Sequence, residues 1–369
     1  MSKFDIIVLG SGPGGYVTAI RASQLGFKTA IIEKESLGGV CLNWGCIPTK
    51  ALLKSAQVFE YLKHAEDYGL NAKDVSHDFD AVVKRSRSVA DGMSKGVQFL
   101  MKKNKIEVIN GFGKLKKGKK VEVKAENGDT TEYSADHIII ATGARSRELP
   151  SLPQDGKKVI GYREAMTLEK QPKRMIVVGS GAIGMEFAYF YHSMGTEVTV
   201  VEYMPNIVPV EDEDISKQLE RNFKKSGIKI KTSAEVTKVD TSGDGVKATV
   251  KTQKGEEVLE ADIVLSAVGI KTNIENIGLE DVGIATDQNI GERLLPNQHT
   301  GLLCHWRRNT RSGIGSRSLS RRDYLCGKVG RNARRTAGLR KHSRVYLLYP
   351  RNCLCWIDGE ASQRKRIRT

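Results

Sequence analysis

Two glycine-rich turns, each placed between an apolar strand-like run and a helical pattern, constrain the fold of this chain more than any other feature. The first turn is Gly10-Ser11-Gly12-Pro13-Gly14-Gly15, with an apolar run before it at residues 5–9 and a helical pattern after it at 16–25. A second apolar run, residues 28–32, ends in the acid Glu33. A bare GxGxxG is weak evidence, but strand, turn, helix and terminal acid in this order predict a dinucleotide-binding βαβ unit.

Each glycine of the turn has its own predicted role. Gly10 permits the tight turn, Gly12 lets a pyrophosphate approach the backbone, and Gly15 lets the helix pack on the strand. The helix N-terminus supplies N–H groups and a positive dipole to the phosphates. Glu33 can accept hydrogen bonds from a ribose.

The same pattern recurs in the middle of the chain. Gly179-Ser180-Gly181-Ala182-Ile183-Gly184 follows a strand-like run at 175–178 and precedes a helical pattern at 185–194, and the next strand, 198–201, ends in Glu202. The repeat indicates either two bound dinucleotides or an internal duplication of one βαβ unit. Glu202 would accept a hydrogen bond from a ribose 2′-hydroxyl and repel a 2′-phosphate, and no arginine occupies the next three positions. We therefore predict NAD rather than NADP at this turn.

A pair of cysteines lies between the two turns. Cys41 and Cys46 are five positions apart near a predicted helix start, where they can close a reducible disulfide. A helix N-terminus stabilises a thiolate, which is the nucleophile of thiol–disulfide exchange. Lys50 lies one turn further along the same face, where it can pair with a thiolate or a cofactor. Two ordinary buried cysteines are the alternative, and zinc is disfavoured because residues 1–290 hold no second Cys/His pair at ligand spacing.

The segment around the cysteines carries a family resemblance. Residues 38–53, GGVCLNWGCIPTKALL, resemble the redox-active segment of the flavoprotein disulfide reductases. Within that family, Leu42-Asn43-Trp44-Gly45 and Ile47-Pro48-Thr49-Lys50 are most similar to the dihydrolipoyl dehydrogenases. The resemblance runs from about residue 3 to about residue 287. Further matches lie at Asn110-Gly111-Phe112-Gly113, Ala141-Thr142-Gly143, Glu186 and Ala267-Val268-Gly269-Ile270.

The resemblance implies an α/β fold with two doubly wound, Rossmann-like nucleotide-binding domains. The FAD domain is expected at residues 1–150 with the cysteine pair, and the NAD domain at 151–272. Residues 273–290 would form a stub that returns to the FAD domain. The family's C-terminal dimerisation domain is missing, since residues 291–369 do not match it.

The resemblance also implies a reaction. Dihydrolipoamide, carried by a lipoyl-bearing acyltransferase or a glycine-cleavage carrier protein, would exchange with Cys41, and Cys46 would pass electrons to FAD and then to NAD⁺. The implied catalytic residues are Cys41, Cys46, Lys50 and Glu186. The implied FAD-binding residues are Gly10, Gly12, Pro13, Gly14, Gly15, Glu33, Lys34, Gly39, Val40, Cys41, Lys50, Gly113, Thr142 and Gly143. The implied NAD-binding residues are Gly179, Gly181, Ala182, Ile183, Gly184, Glu186, Glu202, Val236 and Gly269.

A net charge of +16 would suggest nucleic-acid binding if the charge were spread over the folded part of the chain, which it is not. Residues 291–369 hold 19 Lys+Arg against 4 Asp+Glu, whereas residues 1–290 hold 40 against 39. The excess of basic residues therefore belongs to the tail, where the family pattern has already ended.

A shifted reading frame explains the tail. Reading residues 302–308 one base later permits Tyr-Tyr-Ala-Ile-Gly-Asp, which resembles the family's FAD-contacting segment. We therefore predict a frameshift between Asp287 and Leu294, natural or from sequencing error, and a disordered tail. The shift also accounts for the arginine-rich runs without nucleic-acid binding. A shifted frame also explains the cysteines and the histidine of the tail, so we predict no metal site at Cys304, His305, Cys326, Cys353 and Cys355.

Several alternatives remain open. The family's acid/base histidine and its glutamate, which reach across a homodimer, have no in-frame match, and none of the seven histidines can be nominated. Another enzyme of the family, of the mercuric reductase or transhydrogenase type, is one rival, and a non-catalytic frameshift product is another. No signal peptide or membrane-length apolar run is present, which predicts a cytoplasmic protein.

Overall fold

The computed structural model describes residues 2–284 and 302–304. These residues form two compact units: one combines residues 2–43, 90–145 and 272–284, and the other combines 44–89 with 146–271. Each unit carries parallel strands and helices, so the predicted α/β class is confirmed. The division differs from the expected one in assigning residues 44–89 to the second unit. No helix of the described ranges is long and apolar enough to cross a membrane.

The first unit is built on one mixed sheet. Its strands are β1 (Lys3–Leu9), β2 (Thr29–Glu33), β3 (Glu107–Asn110), β4 (Phe112–Lys116), β5 (Lys120–Lys124) and β6 (Thr130–Ile140). The spatial order β3-β2-β1-β6 is parallel and continues antiparallel through β5 and β4. The last four residues of β1 are all buried, as expected for a parallel strand covered on both faces.

Residues 273–284 return to this sheet. Ile277, Leu279 and Ile284 are buried in the same apolar cluster as Leu9 of β1 and Leu115 of β4. The backbone N–H of Leu115 donates to the carbonyl of Ile277 at 2.8 Å. The returning segment therefore completes the core of the first unit, and burial of its three large aliphatic side chains stabilises the unit by several kcal/mol, at roughly 1.5–3 kcal/mol each.

The second unit combines a parallel and an antiparallel sheet. The parallel order is β11-β10-β9-β15-β8, and the antiparallel order is β12-β13-β14. A short pair, β7 (Ala144–Ser146) with β16 (Ile270–Thr272), lies where the chain passes from one unit to the other. The strands of the second unit are β8 (Val159–Ile160), β9 (Arg174–Val178), β10 (Glu197–Val201), β11 (Lys229–Lys231), β12 (Glu235–Asp240), β13 (Val246–Thr252), β14 (Gly255–Ala261) and β15 (Ile263–Ser266).

The helices begin at positions that the glycine turns determine. The α-helices of the described chain are α1 (Pro13–Gln24), α2 (Gly39–Asn43), α3 (Cys46–Lys63), α4 (Phe79–Lys103), α5 (Tyr162–Ala165), α6 (Ala182–Ser193) and α7 (Glu213–Ser226). Both α1 and α6 begin three residues earlier than the helical pattern predicted. The reason is that Gly12 and Gly181 hold extended backbone as N-caps, and Pro13 has the φ angle that a first helical residue needs.

One short strand lies inside the segment that was predicted to be disordered. Strand β17 (Leu302–Cys304) pairs in parallel with Ile138–Ile140 of β6. For these three residues the structure shows a paired strand where the sequence analysis expected disorder. The physical reason is that β5 pairs only with the first half of β6, which leaves an edge whose N–H and C=O groups accept any extended backbone. The remainder of the tail, including His305, Cys326, Cys353 and Cys355, lies outside the described residues.

Candidate dinucleotide and disulfide site

The first glycine turn has the spacing that a pyrophosphate needs. A Cβ atom on Gly10, whose φ is +93°, would lie 2.3 Å from the carbonyl oxygen of Ala141. A Cβ on Gly15 would lie 1.8 Å from the carbonyl oxygen of Gly10, so strand and helix touch without room for a side chain. A Cβ on Gly12 would instead meet no atom within 4 Å. The open side of Gly12 at the N-terminus of α1 is therefore the point at which phosphate can approach backbone N–H groups.

The acid at the end of β2 is tied to this turn. Oε2 of Glu33 accepts hydrogen bonds from the backbone N–H and the hydroxyl of Ser11, at 2.9 and 2.6 Å. Oε1 accepts from the N–H groups of Lys34 and Glu35, both at 2.9 Å. Ser11 is fully buried and was not among the predicted site residues. The signal that could have revealed it is the serine at the second position of both glycine turns.

The second turn repeats the geometry of the first within the other unit. Gly179 has a φ of +96°, and a Cβ there would lie 2.5 Å from the carbonyl oxygen of Ala267. A Cβ on Gly184 would lie 2.0 Å from the carbonyl oxygen of Gly179, whereas Gly181 faces open space. Glu202 follows β10 and is 7% exposed. The structure thus presents a second cradle of the same design at the N-terminus of α6.

The two cysteines lie at the helices that follow the first turn. Cys41 is inside α2 and Cys46 is the first residue of α3, and both are half-buried. Gly45 is the N-cap of α3 and, as a glycine, has no side chain to cap the helix. No side-chain oxygen therefore caps the first N–H groups of this 18-residue helix. The positive end of the helix dipole lies at Cys46, where it favours a thiolate.

An aromatic side chain between the cysteines is held by two cations. The guanidinium of Arg87 lies 4.8 Å from the centroid of the Trp44 ring, and that of Arg163 lies 5.1 Å from it. Both distances fall within cation–π range. Arg87 belongs to α4 and Arg163 to α5, so the stack fastens the residue two positions before Cys46 to two other helices. Sequence analysis missed both arginines, because no local pattern marks them.

A partly buried ion pair joins α3 to α6. Nζ of Lys50 lies 3.0 Å from both carboxylate oxygens of Glu186. The Glu186 side chain is 14% exposed and that of Lys50 is 39% exposed. Burial raises the pKa of the Glu186 carboxyl, and the Lys50 ammonium partly offsets this by attraction and hydrogen bonding. The helix that begins at Cys46 and the helix that begins at the second turn are thereby held side by side.

The other predicted site residues have varied surroundings. A Cβ on Gly39 would lie 2.7 Å from Cα of Gly12, so this position also requires a glycine. The carbonyl groups of Thr142 and Gly143 accept hydrogen bonds from Asn273 in the returning segment.

Residues placed at or beside the two cradles are Pro13 and Gly14 in α1, Val40 in α2, and Ala182 and Ile183 in α6. Gly113 lies in β4, Val236 is buried in β12, and Gly269 has a φ of +116° before β16.

Relatives of known identity match most of the chain. It is 51% identical over 302 residues to the dihydrolipoyl dehydrogenase of Rhizobium etli, covering 78% of this chain and 63% of that protein. It is 47% identical over 288 residues to the dihydrolipoyl dehydrogenase of Chlorobaculum tepidum, covering 78% and 61%. The chain thus spans about three fifths of the length of the curated relatives it matches.

A solved structure and a family model agree with these matches. The crystal structure of LpdA from Mycobacterium tuberculosis is similar with a TM-score of 0.75 and 27% identity, over 90% of this chain and 72% of that one. The family model of the pyridine nucleotide-disulphide oxidoreductases matches residues 4–294. This match includes both glycine turns, both terminal acids and the cysteine segment. The chain therefore belongs to the pyridine nucleotide-disulphide oxidoreductase family.

Proposed function

We propose that this chain derives from a dihydrolipoyl dehydrogenase: it binds FAD at the first turn and NAD at the second, and it oxidises dihydrolipoamide through Cys41 and Cys46. FAD and NAD are the cofactors of its family. The observation that carries the proposal is the Lys50–Glu186 pair, which holds the Cys46 helix beside the helix of the second turn. A disulfide that must exchange electrons with a nucleotide needs this arrangement.

The cysteines perform the exchange. In the oxidised protein, a substrate thiolate attacks Sγ of Cys41 in a Cys41–Cys46 disulfide, and Cys46 leaves as a thiolate. The second substrate thiol then displaces Cys41, which takes up a proton, and the product is the cyclic disulfide lipoamide. When bound, FAD would supply the redox chemistry that links the cysteine dithiol to NAD⁺, and the residues of the first turn would hold it.

The other residues bind and orient. The open sides of Gly12 and Gly181 admit the pyrophosphates, and the Glu33 and Glu202 carboxylates are the acceptors for ribose hydroxyls. The Lys50 ammonium favours the charged form of Glu186 against the effect of burial, and it adds a positive charge one turn along α3 from Cys46. We propose that the substrate dithiol is carried on a lipoyl-bearing acyltransferase or a glycine-cleavage carrier protein in the cytoplasm.

The visible spectrum of the purified chain tests the proposal. A bound flavin gives a yellow protein, and anaerobic dihydrolipoamide should bleach it or create long-wavelength absorbance from the Cys46 thiolate. Cys46→Ser should abolish the long-wavelength absorbance, while the matched Cys41→Ser should retain it and lose exchange with substrate. A yellow protein that is indifferent to dihydrolipoamide would contradict the proposed substrate.

A second candidate is a dinucleotide-binding product without lipoamide turnover. The observation that favours it is that the chain spans only about three fifths of the length of the curated relatives it matches. This candidate predicts flavin binding with no NADH formation from dihydrolipoamide. The same preparation distinguishes the two, because turnover is measured separately from colour.

A further inference from the structure

We propose that Ser180 is a positioning residue that determines dinucleotide specificity by holding the Glu202 carboxylate in place. This inference rests on the proposed function, since it takes the second turn as the NAD site. In the glycine fingerprint, the choice between NAD and NADP is attributed to the acid after the second strand and not to the second residue of the turn. Ser180 is fully buried, and its side chain is directed at the acid that the sequence analysis nominated for the ribose.

The contacts between the two residues are short and charge-assisted. The Ser180 hydroxyl donates to Oε2 of Glu202 at 2.6 Å, and the Ser180 backbone N–H donates to the same oxygen at 2.7 Å. The third contact to the carboxylate is the N–H of Met204, which donates to Oε1 at 2.8 Å. Hydrogen bonds to a charged acceptor are stronger than neutral ones, so the Glu202 side chain is held in one orientation before any ligand arrives.

The number of donors shows which part of the carboxylate remains for a ligand. A carboxylate offers about four acceptor positions. Glu202 receives three hydrogen bonds, of which Oε1 takes only that of Met204. One acceptor position therefore remains on Oε1 of Glu202, because Ser180 occupies Oε2.

Ser180 also holds the loop that follows Glu202. The backbone N–H of Val208 lies 3.2 Å from the Ser180 hydroxyl oxygen and 3.1 Å from its carbonyl oxygen, and donates to both. Val208 has a φ of +41°, a left-handed conformation that is strained for a β-branched residue. In the first unit the equivalent partner of Ser11 is Gly38, where a positive φ carries no such strain. The Ser180 contacts thus keep a strained loop beside the specificity acid.

This arrangement has a direct consequence for ligand choice. A fixed Oε1 accepts a hydrogen bond from the 2′-hydroxyl of NAD, and a fixed negative charge repels the 2′-phosphate of NADP. Without the Ser180 hydroxyl, two backbone N–H groups hold the carboxylate instead of three donors, so its orientation is less fixed and both effects weaken. Ser180→Ala should therefore weaken NADH binding and narrow the preference for NADH over NADPH by roughly tenfold, the effect of losing one hydrogen bond to a charged group.

The experiment measures dissociation constants for NADH and NADPH by titration of the full-length protein, as wild type, Ser180→Ala and Ser180→Cys. The cysteine variant retains the side-chain volume with a weak donor and replaces the alanine variant if that one does not fold. Ser193→Ala is the matched control, because Ser193 is a buried serine of α6 that hydrogen-bonds Tyr189. This control should leave the NADH-to-NADPH ratio unchanged.

A double variant separates positioning from simple structural support. In Glu202→Gln the preference is already reduced, so adding Ser180→Ala should change the ratio by less than twofold. An unchanged preference in folded Ser180→Ala, or a full further loss in the Glu202→Gln background, would overturn the inference. A wild-type protein that binds neither dinucleotide, or prefers NADPH, would instead contradict the proposed NAD site, so the two failures are distinguishable.

Discussion

Replacing Lys50 by methionine should destabilise the protein in a pH-dependent way. The substitution preserves most of the side-chain volume but removes the ammonium that lies 3.0 Å from both oxygens of Glu186. Glu186 would then be a carboxylate that is 14% exposed and lacks its partner. Because the partner's side chain is 39% exposed, solvent already screens the pair.

The magnitude follows from the burial of the two groups. Breaking a fully buried ion pair costs about 3–5 kcal/mol, and an exposed pair contributes about 0–1 kcal/mol. The half-exposed Lys50 places this pair between those limits, so we expect a loss of about 2 kcal/mol with Glu186 ionised. Burial already raises the pKa of Glu186 above its ordinary value of 4.5, and loss of Lys50 removes the offset and raises that pKa further.

The sign of the pH dependence follows from the direction of that shift. A carboxyl whose folded pKa is above its unfolded pKa favours the folded state in acid, and that contribution is lost as pH rises through the folded pKa. The penalty of Lys50→Met should therefore be smaller at about pH 4.5, where the raised pKa favours the protonated carboxyl, and larger at about pH 8. Urea denaturation at both pH values measures it, with Lys50→Met/Glu186→Gln as the matched control. An equal penalty at the two pH values would refute the reasoning.

Three further substitutions test the packing of the two units. Gly15→Ala should destabilise the first unit by about 2 kcal/mol or more, because its Cβ would lie 1.8 Å from a backbone oxygen. Gly12→Ala should instead leave the thermal midpoint unchanged and abolish flavin absorbance, because its Cβ meets no atom within 4 Å. Equal thermal midpoints for the two variants would contradict this reading of the turn. Tyr191→Phe should lower the unfolding free energy by about 1–3 kcal/mol, because it leaves the Ala165 carbonyl without the buried hydroxyl that donates to it at 2.5 Å; an unchanged urea midpoint would contradict that.

Much of the site could be predicted from the sequence because its chemistry is local. The turn residues Gly10, Gly15, Gly179 and Gly184 lie where the spacing placed them, and the reason is steric: a strand that turns at once into a helix leaves no room for Cβ atoms. The cysteine segment also lies at helix starts, with Cys41 in α2 and Cys46 as the first residue of α3, and the disulfide between them stays a prediction.

Only the tertiary structure decided the partners that are distant along the chain. Lys50 meets Glu186 across 136 positions, and the arginines stacked on Trp44 come from two other helices. No spacing rule links such residues, because the packing of whole helices brings them together. The strand at Leu302–Cys304 was missed for a different reason. Its side-chain pattern does not predict a strand, and the segment is extended because its backbone pairs with the open edge of β6. Local sterics made the two glycine turns predictable from the sequence, whereas the packing of distant segments determines which residues surround them.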